Sequence, residues 1–480
     1  MKTKVVIHTV GLMMLVEACL LIIPAVVGLI YHEQVSVRAF LISAAAAAGA
    51  GGALSLVKPG GSNIFAREGF AIVGLSWIML SLFGCLPFVI SRQIPDFVDA
   101  FFETVSGFTT TGSSILTDIE ALDNAMLFWR SFTHWVGGMG VLVFGMIIIP
   151  LGGKRSMHLL RAESPGPSSG KLVPKMRDTA KILYGIYIGL SVILLIFLLA
   201  GGMSLFDSLI NAFGTAGTGG YSNHGASIAY YDSEYFDVVI GIFMILFGVN
   251  FNLYFLILLK RFRPALRSEE LHWYLGIIAF AVITIAANIN SIYGSFHQSL
   301  RHAFFQVASV ITTTGFATMD FDQWPQYSRH LLVLLMFIGA CAGSTGGGLK
   351  VSRVILLLRT VGRGMRRMIH SKSVEKIRFE GRTMEEETIN TCLVYLAIYC
   401  LTGVISVLLI SLNNFSFEVN VTAVISCMNN IGPGLGMVGP AGNFSAFSAF
   451  SKLLLSFDML AGRLEFLPIL LLLSPTTWKR

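Results

Sequence analysis

Charged residues are scarce in this chain, and their scarcity excludes an ordinary soluble protein. Of its 480 residues, 13% are charged and 54% are hydrophobic, whereas soluble domains carry about 25% charged residues. Apolar runs of the length that crosses a hydrocarbon core, about 20 residues for about 30 Å, recur along the whole chain. The composition therefore predicts an all-α polytopic membrane protein in contact with membrane lipid.

The sequence also lacks the patterns that mark disulfide frameworks, zinc sites and several enzyme classes. The six cysteines have no C-x-x-C spacing, so neither a disulfide framework nor a zinc site is indicated. There is no H-E-x-x-H motif and no sequence signature of a nucleophile with its base. His134 and His302 are lone histidines, for which packing or hydrogen bonding is expected. We predict that the chain is not an enzyme.

Lysine and arginine are missing from alternate loops. Neither occurs in residues 93–129, 201–236 or 413–451, whereas both cluster in residues 58–67, 154–181, 260–267 and 359–382. Loops rich in Lys and Arg face the cytoplasm, so this alternation predicts cytoplasmic basic loops and two cytoplasmic termini. The net charge of +7 is thereby explained by topology, and nucleic acid is not expected as a partner.

One motif occurs twice on the basic-poor side, and two looser copies accompany it. Residues 100–112 read AFFETVSGFTTTG and residues 303–315 read AFFQVASVITTTG, with AFF, Ser and TTTG at identical offsets. The looser windows are NAFGTAG at 211–217 and SCMNNIG at 426–432. Apolar runs flank each window, so the sequence predicts four parallel repeats of helix, short re-entrant helix and helix.

The segment before each window has only about ten to thirteen residues, which is too short to span a membrane. Irregular backbone at membrane depth is tolerated where it is buried in protein or lines an aqueous cavity. The negative C-terminal ends of four such helices favour a cation, and carbonyl and threonine oxygens suit a hard alkali cation. The predicted selectivity filter consists of Thr110, Thr111, Gly112, Ala216, Gly217, Thr313, Thr314, Gly315, Asn430, Ile431 and Gly432.

The windows TTTG, TAGTGG, TTTGFAT and NNIGPGLG, set in four repeats, resemble those of the Trk/Ktr/HKT superfamily of potassium transporters. An extra N-terminal helix pair is similar to the bacterial Trk type. The resemblance implies K⁺ uptake across the bacterial inner membrane through a pseudo-fourfold pore with filter glycines Gly112, Gly217, Gly315 and Gly432. It also implies a homodimer and regulation by a cytosolic ring of Rossmann-like domains that bind NAD or ATP. No organic cofactor is expected on this chain.

The predicted domain organisation follows from the repeats. Residues 1–67 form the N-terminal two-helix extension, and the four repeats occupy residues 68–155, 156–262, 263–365 and 366–480. All four windows lie in loops on the same side of the membrane, which argues against a carrier built from inverted repeats. Whether flux is channel-like or coupled to H⁺ or Na⁺ is left open, and a membrane-embedded enzyme is the more distant alternative.

A glycine-rich segment interrupts the apolar run that follows the third window. The stretch GACAGSTGGGLK lacks the spacing of a phosphate-binding loop. Close helix packing through small residues and a gate below the filter are both compatible with it, and the resemblance implies the gate. The predicted gate residues are Gly343, Ser344, Thr345, Gly346, Gly347 and Gly348.

The last apolar run holds several ionisable residues, which usually face a pore or a partner. Arg463 lies between Asp458 and Glu465 in the sequence. Two interpretations stay open for Arg463: a structural ion pair with one of these acids, or a barrier to cations on the permeation path, which the resemblance implies.

Overall fold

The structure is a computed structural model that describes residues 2–58, 66–140, 176–370 and 375–478. Helices dominate this part of the chain, which confirms the predicted all-α class. Its two short strands, β1 (Arg378–Phe379) and β2 (Arg382–Thr383), pair as an antiparallel hairpin. The predicted boundaries at 155 and 156 lie outside the described residues.

The N-terminal extension contains α1 (Thr3–Leu20), α2 (Ile22–Ile30) and α3 (Gln34–Ser55). Helices α1 and α3 cross at Gly11 and Gly51. A Cβ atom at either glycine would lie 2.8 Å from the carbonyl oxygen of the other. The two helices are therefore in backbone contact, which small residues permit in membranes, and α1 also packs on the first repeat.

Four units of similar construction follow. The first contains α4 (Ala66–Gly84), α5 (Leu86–Ile90), α6 (Phe97–Phe108) and α7 (Asn124–Gly138), and the second α8 (Met176–Ala200), α9 (Leu205–Gly217), α10 (Glu234–Phe247), α11 (Phe251–Leu258) and α12 (Phe262–Leu266). The third contains α13 (Glu269–Tyr293), α14 (Phe296–Ile311), α15 (Gln326–Ile338) and α16 (Val351–Ile369), and the fourth α17 (Glu386–Ile410), α18 (Phe417–Asn429), α19 (Ala449–Arg463), α20 (Leu467–Leu473) and α21 (Pro475–Trp478).

The short helices α6, α9, α14 and α18 are the re-entrant segments predicted before the windows. Three of them begin at a residue whose side chain accepts a backbone N–H from the first turn: Asp96, Ser204 and Ser416. Such caps satisfy otherwise unpaired donors, and acidic residues in the first turn of each of these three helices complement the helix dipole. The capped starts explain why these helices are short and separate from the spans before them.

The units close into a ring. The helix after each window packs on the short helix of the following unit, and α19 of the fourth unit packs on α6 of the first. Ion pairs join three of these junctions: Asp237 with Arg301, Arg329 with Glu418, and Lys452 with Asp99. At the remaining junction the Arg130 guanidinium lies over the Tyr221 ring. This cyclic packing is the pseudo-fourfold arrangement that four parallel repeats predict.

The helices after the windows are less regular than the sequence predicts. In the described residues six helices are long and apolar enough to cross a membrane, or seven if one bent pair counts as a single span. That pair is α10 and α11, which meet at 90°. The apolar run of residues 331–358 is broken between α15 and α16, where the glycine-rich segment predicts an interruption, and the apolar run of residues 447–473 divides into α19 and α20. Irregular backbone of this kind is stable where it faces a cavity or other protein.

Candidate functional site

The chain leaves each short helix through the same turn. In each window an amide donates to the carbonyl five residues earlier: Thr111 to Ser106 at 2.9 Å, Gly219 to Gly214 at 2.9 Å, Thr314 to Ser309 at 2.8 Å and Ile431 to Ser426 at 3.0 Å. The residue before each donor is left-handed, with φ of 56° at Thr110, 56° at Thr218, 59° at Thr313 and 56° at Asn430. Threonine rarely adopts this conformation, so the surrounding packing must hold it.

A left-handed glycine follows each donor: Gly112 (φ 82°), Gly220 (φ 76°), Gly315 (φ 84°) and Gly432 (φ 103°). We name the resulting tripeptides the window segments: 110–112, 218–220, 313–315 and 430–432. Three of them coincide with the predicted residues. The second does not, because Ala216 and Gly217 still belong to helix α9. The predicted alignment of the second window is therefore wrong by three residues, and Gly220 is the counterpart of Gly112.

The four window segments touch one another in a closed ring. A Cβ atom at Gly112 would overlap the carbonyl oxygen of Gly219, one at Gly220 that of Thr314, and one at Gly315 that of Ile431. A Cβ atom at Gly432 would lie 2.9 Å from the Thr111 carbonyl oxygen. Each segment thus presents a carbonyl to the glycine of its neighbour. Glycine is required here for space as well as for its positive φ.

Side chains brace the window segments. The hydroxyls of Thr109 and Thr111 lie 2.7 Å apart, and the same pair in the third window, Thr312 and Thr314, is also 2.7 Å apart. In the fourth window Asn430 Nδ2 donates to Thr111 Oγ1 at 3.0 Å. All these residues are buried. The poor match of the fourth window to TTTG is thus explained, because its amide side chain supplies a link to the first window.

The glycine-rich segment lies against the ring of window segments on the side where the short helices α14 and α18 end. We name residues 339–350, between α15 and α16, the glycine loop. The Gly347 amide donates to Thr313 Oγ1 at 2.6 Å. A Cβ atom at Gly346 would lie 2.9 Å from the Thr312 carbonyl oxygen, and one at Gly347 would overlap that of Asn429. The predicted interruption of the helix is confirmed, and the loop contacts the third and fourth windows directly.

A carboxylate that sequence reasoning missed anchors the glycine loop. Glu270, in the first turn of α13, accepts the amide of Ala342 at 2.8 Å and the amide of Ser352 at 3.1 Å. Glu270 is 3% exposed. Its carboxyl group therefore satisfies two backbone N–H groups at a place that water hardly reaches. The loop is also joined to the break between α10 and α11, because the Phe251 amide donates to Gly343 and the Cys341 amide to Gly248.

Arg463 lies at the C-terminal end of α19 and reaches the glycine loop. Its guanidinium donates to the Thr345 carbonyl at 2.8 Å, and to the carbonyls of Gly137 and Gly138 at 2.6 and 2.8 Å. The acids considered as its partners have other contacts: Glu465 pairs with Arg353, and Asp458 accepts from Ser406 at 2.9 Å. These contacts place Arg463 against the glycine loop and the end of α7, and its role as a barrier on a permeation path stays a prediction.

One acidic side chain lies in the loop that follows the first window segment. Glu120 lies in the loop between α6 and α7, which has neither Lys nor Arg before Arg130. The backbone N–H of Gly225, 2.9 Å away, and the nearby His224 lower the pKa of the Glu120 carboxyl. An exposed carboxylate that stays ionised attracts cations to this surface. His302, by contrast, packs at 5.0 Å from the Tyr293 ring, as expected.

No group of His, Cys, Asp or Glu in the described residues could hold a transition metal. The site instead offers carbonyl and hydroxyl oxygens on a ring of four segments. Such oxygens can replace the hydration shell of an alkali cation.

The chain matches known proteins along its length. Residues 32–479 match the family model TrkH, described as a cation transport protein. The chain is 37% identical over 486 residues to the Trk system potassium uptake protein TrkH of Escherichia coli K12, covering 100% of both chains. It is 31% identical over 481 residues to TrkG of the same strain, covering 99% of both. The crystal structure of the potassium transporter TrkH from Vibrio parahaemolyticus matches with a TM-score of 0.90 at 31% identity, covering 100% of both chains.

Proposed function

Because the chain belongs to the TrkH family of cation transport proteins, we propose that this integral membrane protein takes up K⁺ through the ring of window segments. The observation that carries the proposal is the closed contact of four carbonyl-bearing segments, each ending in a left-handed glycine. The relatives named above are potassium uptake proteins. The proposed filter is formed by residues 110–112, 218–220, 313–315 and 430–432, which moves its second member from Gly217 to Gly220.

The proposed gate is the glycine loop together with Arg463. The loop lies against the third and fourth window segments of the proposed filter, where it contacts Thr313 and Asn429. Arg463 joins the loop to the end of α7 through carbonyl hydrogen bonds. A fixed positive charge beside the path opposes passage of a cation. Withdrawal of the loop from the ring would open the path, and two such states are what gating requires.

The proposed partners are a cytosolic nucleotide-binding ring and a second copy of this chain. The relatives are named as parts of a Trk system, which supports a membrane subunit that works with further components. The basic C-terminal half of α16, including Arg363 and Arg366, is the proposed docking face for a cytosolic nucleotide-binding ring. Both arginines already pair with acids of this chain, Glu386 and Glu375. We also propose a homodimer in the bacterial inner membrane with both termini in the cytoplasm.

Growth at limiting K⁺ tests the proposed function. We expect a bacterial strain that lacks K⁺ uptake to grow at low K⁺ when it carries this chain, and to fail without it. A Gly276→Ala variant provides the matched control, because nothing lies within 4 Å of a Cβ atom there, and it should support growth like the parent. Absence of growth with abundant folded protein in the membrane would contradict K⁺ uptake by this chain.

Arg463→Ala separates a barrier from a structural role. If the guanidinium opposes cations beside the loop, its removal should raise K⁺ flux per folded molecule several-fold, since about 1.4 kcal/mol of barrier corresponds to tenfold in rate. Arg463→Lys keeps the charge but cannot bridge Thr345 and Gly137 with one planar group, so it should give a smaller rise. Isotope uptake into proteoliposomes, normalised to folded protein, measures both. A lower yield of folded protein with unchanged flux per molecule would instead indicate a structural role.

A further inference from the structure

The second window segment differs from the other three at its middle position. The middle residues are Thr111, Thr314 and Ile431 in the first, third and fourth segments, and Gly219 in the second. The three atoms nearest to a Cβ atom at Gly219 all belong to the imidazole ring of His134: Nδ1, Cε1 and Cγ. We propose that the His134 ring positions the second window segment by filling the space that a side chain fills in the other three.

The backbone at Gly219 would accept a side chain. Its φ lies outside the left-handed region, whereas the next residue, Gly220, has φ 76°. Gly220 therefore needs to be glycine for conformation, and its Cβ would also overlap the Thr314 carbonyl oxygen. At Gly219 the obstacle is the ring of His134. His134 and Gly219 are thus complementary. The imidazole ring on α7 leaves no room for a side chain at residue 219, and glycine there leaves a space that the imidazole ring fills.

His134 belongs to a small layer that joins α7 to the second window. Its ring is 4.2 Å from the Tyr221 ring in an edge-to-face arrangement. Arg130 lies one helical turn earlier on α7, and its guanidinium is 4.1 Å from the centre of the Tyr221 ring. The Tyr221 hydroxyl lies within hydrogen-bond distance of two carbonyl oxygens to which it can donate, those of Glu103 at 2.9 Å and Ser113 at 3.1 Å. Tyr221 directly follows Gly220, so this layer ties the second segment to the first unit.

The contacts of His134 favour packing over hydrogen bonding. The residue is fully buried, and neither ring nitrogen has a hydrogen-bond partner in the part of the chain that the structure describes. Buried polar atoms are normally paired, and their lack of partners is unfavourable. The role of His134 is therefore steric: its imidazole ring packs against Gly219 and Tyr221. An empty space there would let the second segment move, because closely packed interiors hold their parts by contact.

This inference rests on the proposed function only in its consequence for selectivity. A loosened second segment would hold its carbonyls less firmly on the ring, and discrimination of K⁺ from Na⁺ would fall. The contact between His134 and Gly219 can be tested without transport. Two variants and their combination form a double-mutant cycle, which isolates the interaction of two residues in contact.

The cycle uses His134→Ala and Gly219→Val, the latter an apolar β-branched side chain like that of Ile431. Gly219→Val alone should sharply lower the yield of folded protein, because its side chain overlaps the ring. His134→Ala alone should fold and lower the K⁺ over Na⁺ permeability ratio by about tenfold, equivalent to about 1.4 kcal/mol. The double variant should recover most of the folded yield and most of the ratio. Yield is measured by fluorescence-detected size exclusion, and permeability by ion flux into proteoliposomes.

Gly220→Ala in both backgrounds is the matched control. Its conflict is with the Thr314 backbone and with its own positive φ, so His134→Ala should not rescue it. Losses that simply add in the His134→Ala, Gly219→Val double variant would overturn the proposal. If His134→Ala alone gives no folded protein, recovery in the double variant still supports the proposal and lack of recovery contradicts it. An unchanged ratio in Gly220→Ala would instead reject the filter itself.

Discussion

Replacement of Gly315 by serine is expected to lower the K⁺ over Na⁺ permeability ratio by about tenfold or more, a change of about 1.4 kcal/mol or more in relative ion stabilisation. Gly315 has φ 84°, and a Cβ atom there would overlap the Ile431 carbonyl oxygen of the next window segment. A side chain therefore strains its own backbone and displaces a proposed ion-binding oxygen in the neighbouring segment. The ratio is measured from K⁺ and Na⁺ flux in proteoliposomes at matched protein amounts.

Gly276→Ser is the control for the Gly315 variant, because it places the same side chain in open space on α13. It should leave the ratio unchanged. A folded Gly315→Ser protein with the parent's ratio would remove the third window from the filter. Equal effects on K⁺ and Na⁺ flux would point to a narrowed path without a role in discrimination.

Deletion of residues 344–347 is expected to raise basal K⁺ flux several-fold, with the permeability ratio retained. The deletion removes the Gly347 contact to Thr313 and the Thr345 carbonyl that Arg463 binds. The base of the glycine loop can close without this tip, since a Cβ atom at Gly348 would lie 2.7 Å from the Gly339 Cα. The Leu349 amide also donates to Phe337, and the Val351 amide to Ala340. Without residues 344–347 the glycine loop no longer reaches the window segments, so the proposed gate cannot obstruct the ion path.

Ser344→Ala is the control for the deletion, because among the residues that the structure describes the Ser344 hydroxyl bonds only within the loop, to the Cys341 carbonyl at 2.6 Å. It should conduct like the parent. The deletion should also make flux less dependent on a cytosolic nucleotide-binding partner. A deletion variant that folds and keeps the parent's basal flux would place the gate elsewhere and leave close packing as the role of the loop.

The architecture and most of the site follow from sequence features with a direct physical meaning. The scarcity of charge predicts the membrane, and the repeated TTTG windows predict four equivalent turns. Thr110, Thr313 and Asn430 occupy the same left-handed position, although only two of them lie in a TTTG. The fourth window could be aligned because Ser426 precedes Gly432 at the same offset at which Ser106 precedes Gly112.

The second window could not be aligned by the same signal. Its sequence, TAGTGG, offers Gly217, Gly219 and Gly220, and alignment on the first of these places Gly217 opposite Gly112. The hydrogen bond from the Gly219 amide to Gly214 fixes the alignment, and it is a property of three-dimensional structure. A threonine two residues before the glycine does not decide between them, because Thr215 precedes Gly217 just as Thr218 precedes Gly220.

The role of Glu270 and the bend between α10 and α11 were not predicted from the sequence, for a different reason. An acidic residue in the first turn of a helix is explained by the helix dipole alone, so Glu270 gives no sign of the amides of Ala342 and Ser352 that it binds far along the chain. The bend lies inside an unbroken apolar run. Asn250, whose side chain caps the start of α11 by accepting the Asn252 amide, is the residue that could have revealed it.

The central claim is that four window segments form one ion-binding ring, with 218–220 as the second member. Anomalous scattering from crystals of the purified protein grown in Rb⁺ or Tl⁺ tests it most directly, since both ions substitute for K⁺ and can be located without reference to the protein. The account predicts an anomalous peak on the ring axis, enclosed by all four segments and adjacent to Gly219 and Thr314. A peak enclosed by only three segments, or one bound elsewhere with the ring axis empty, would contradict it.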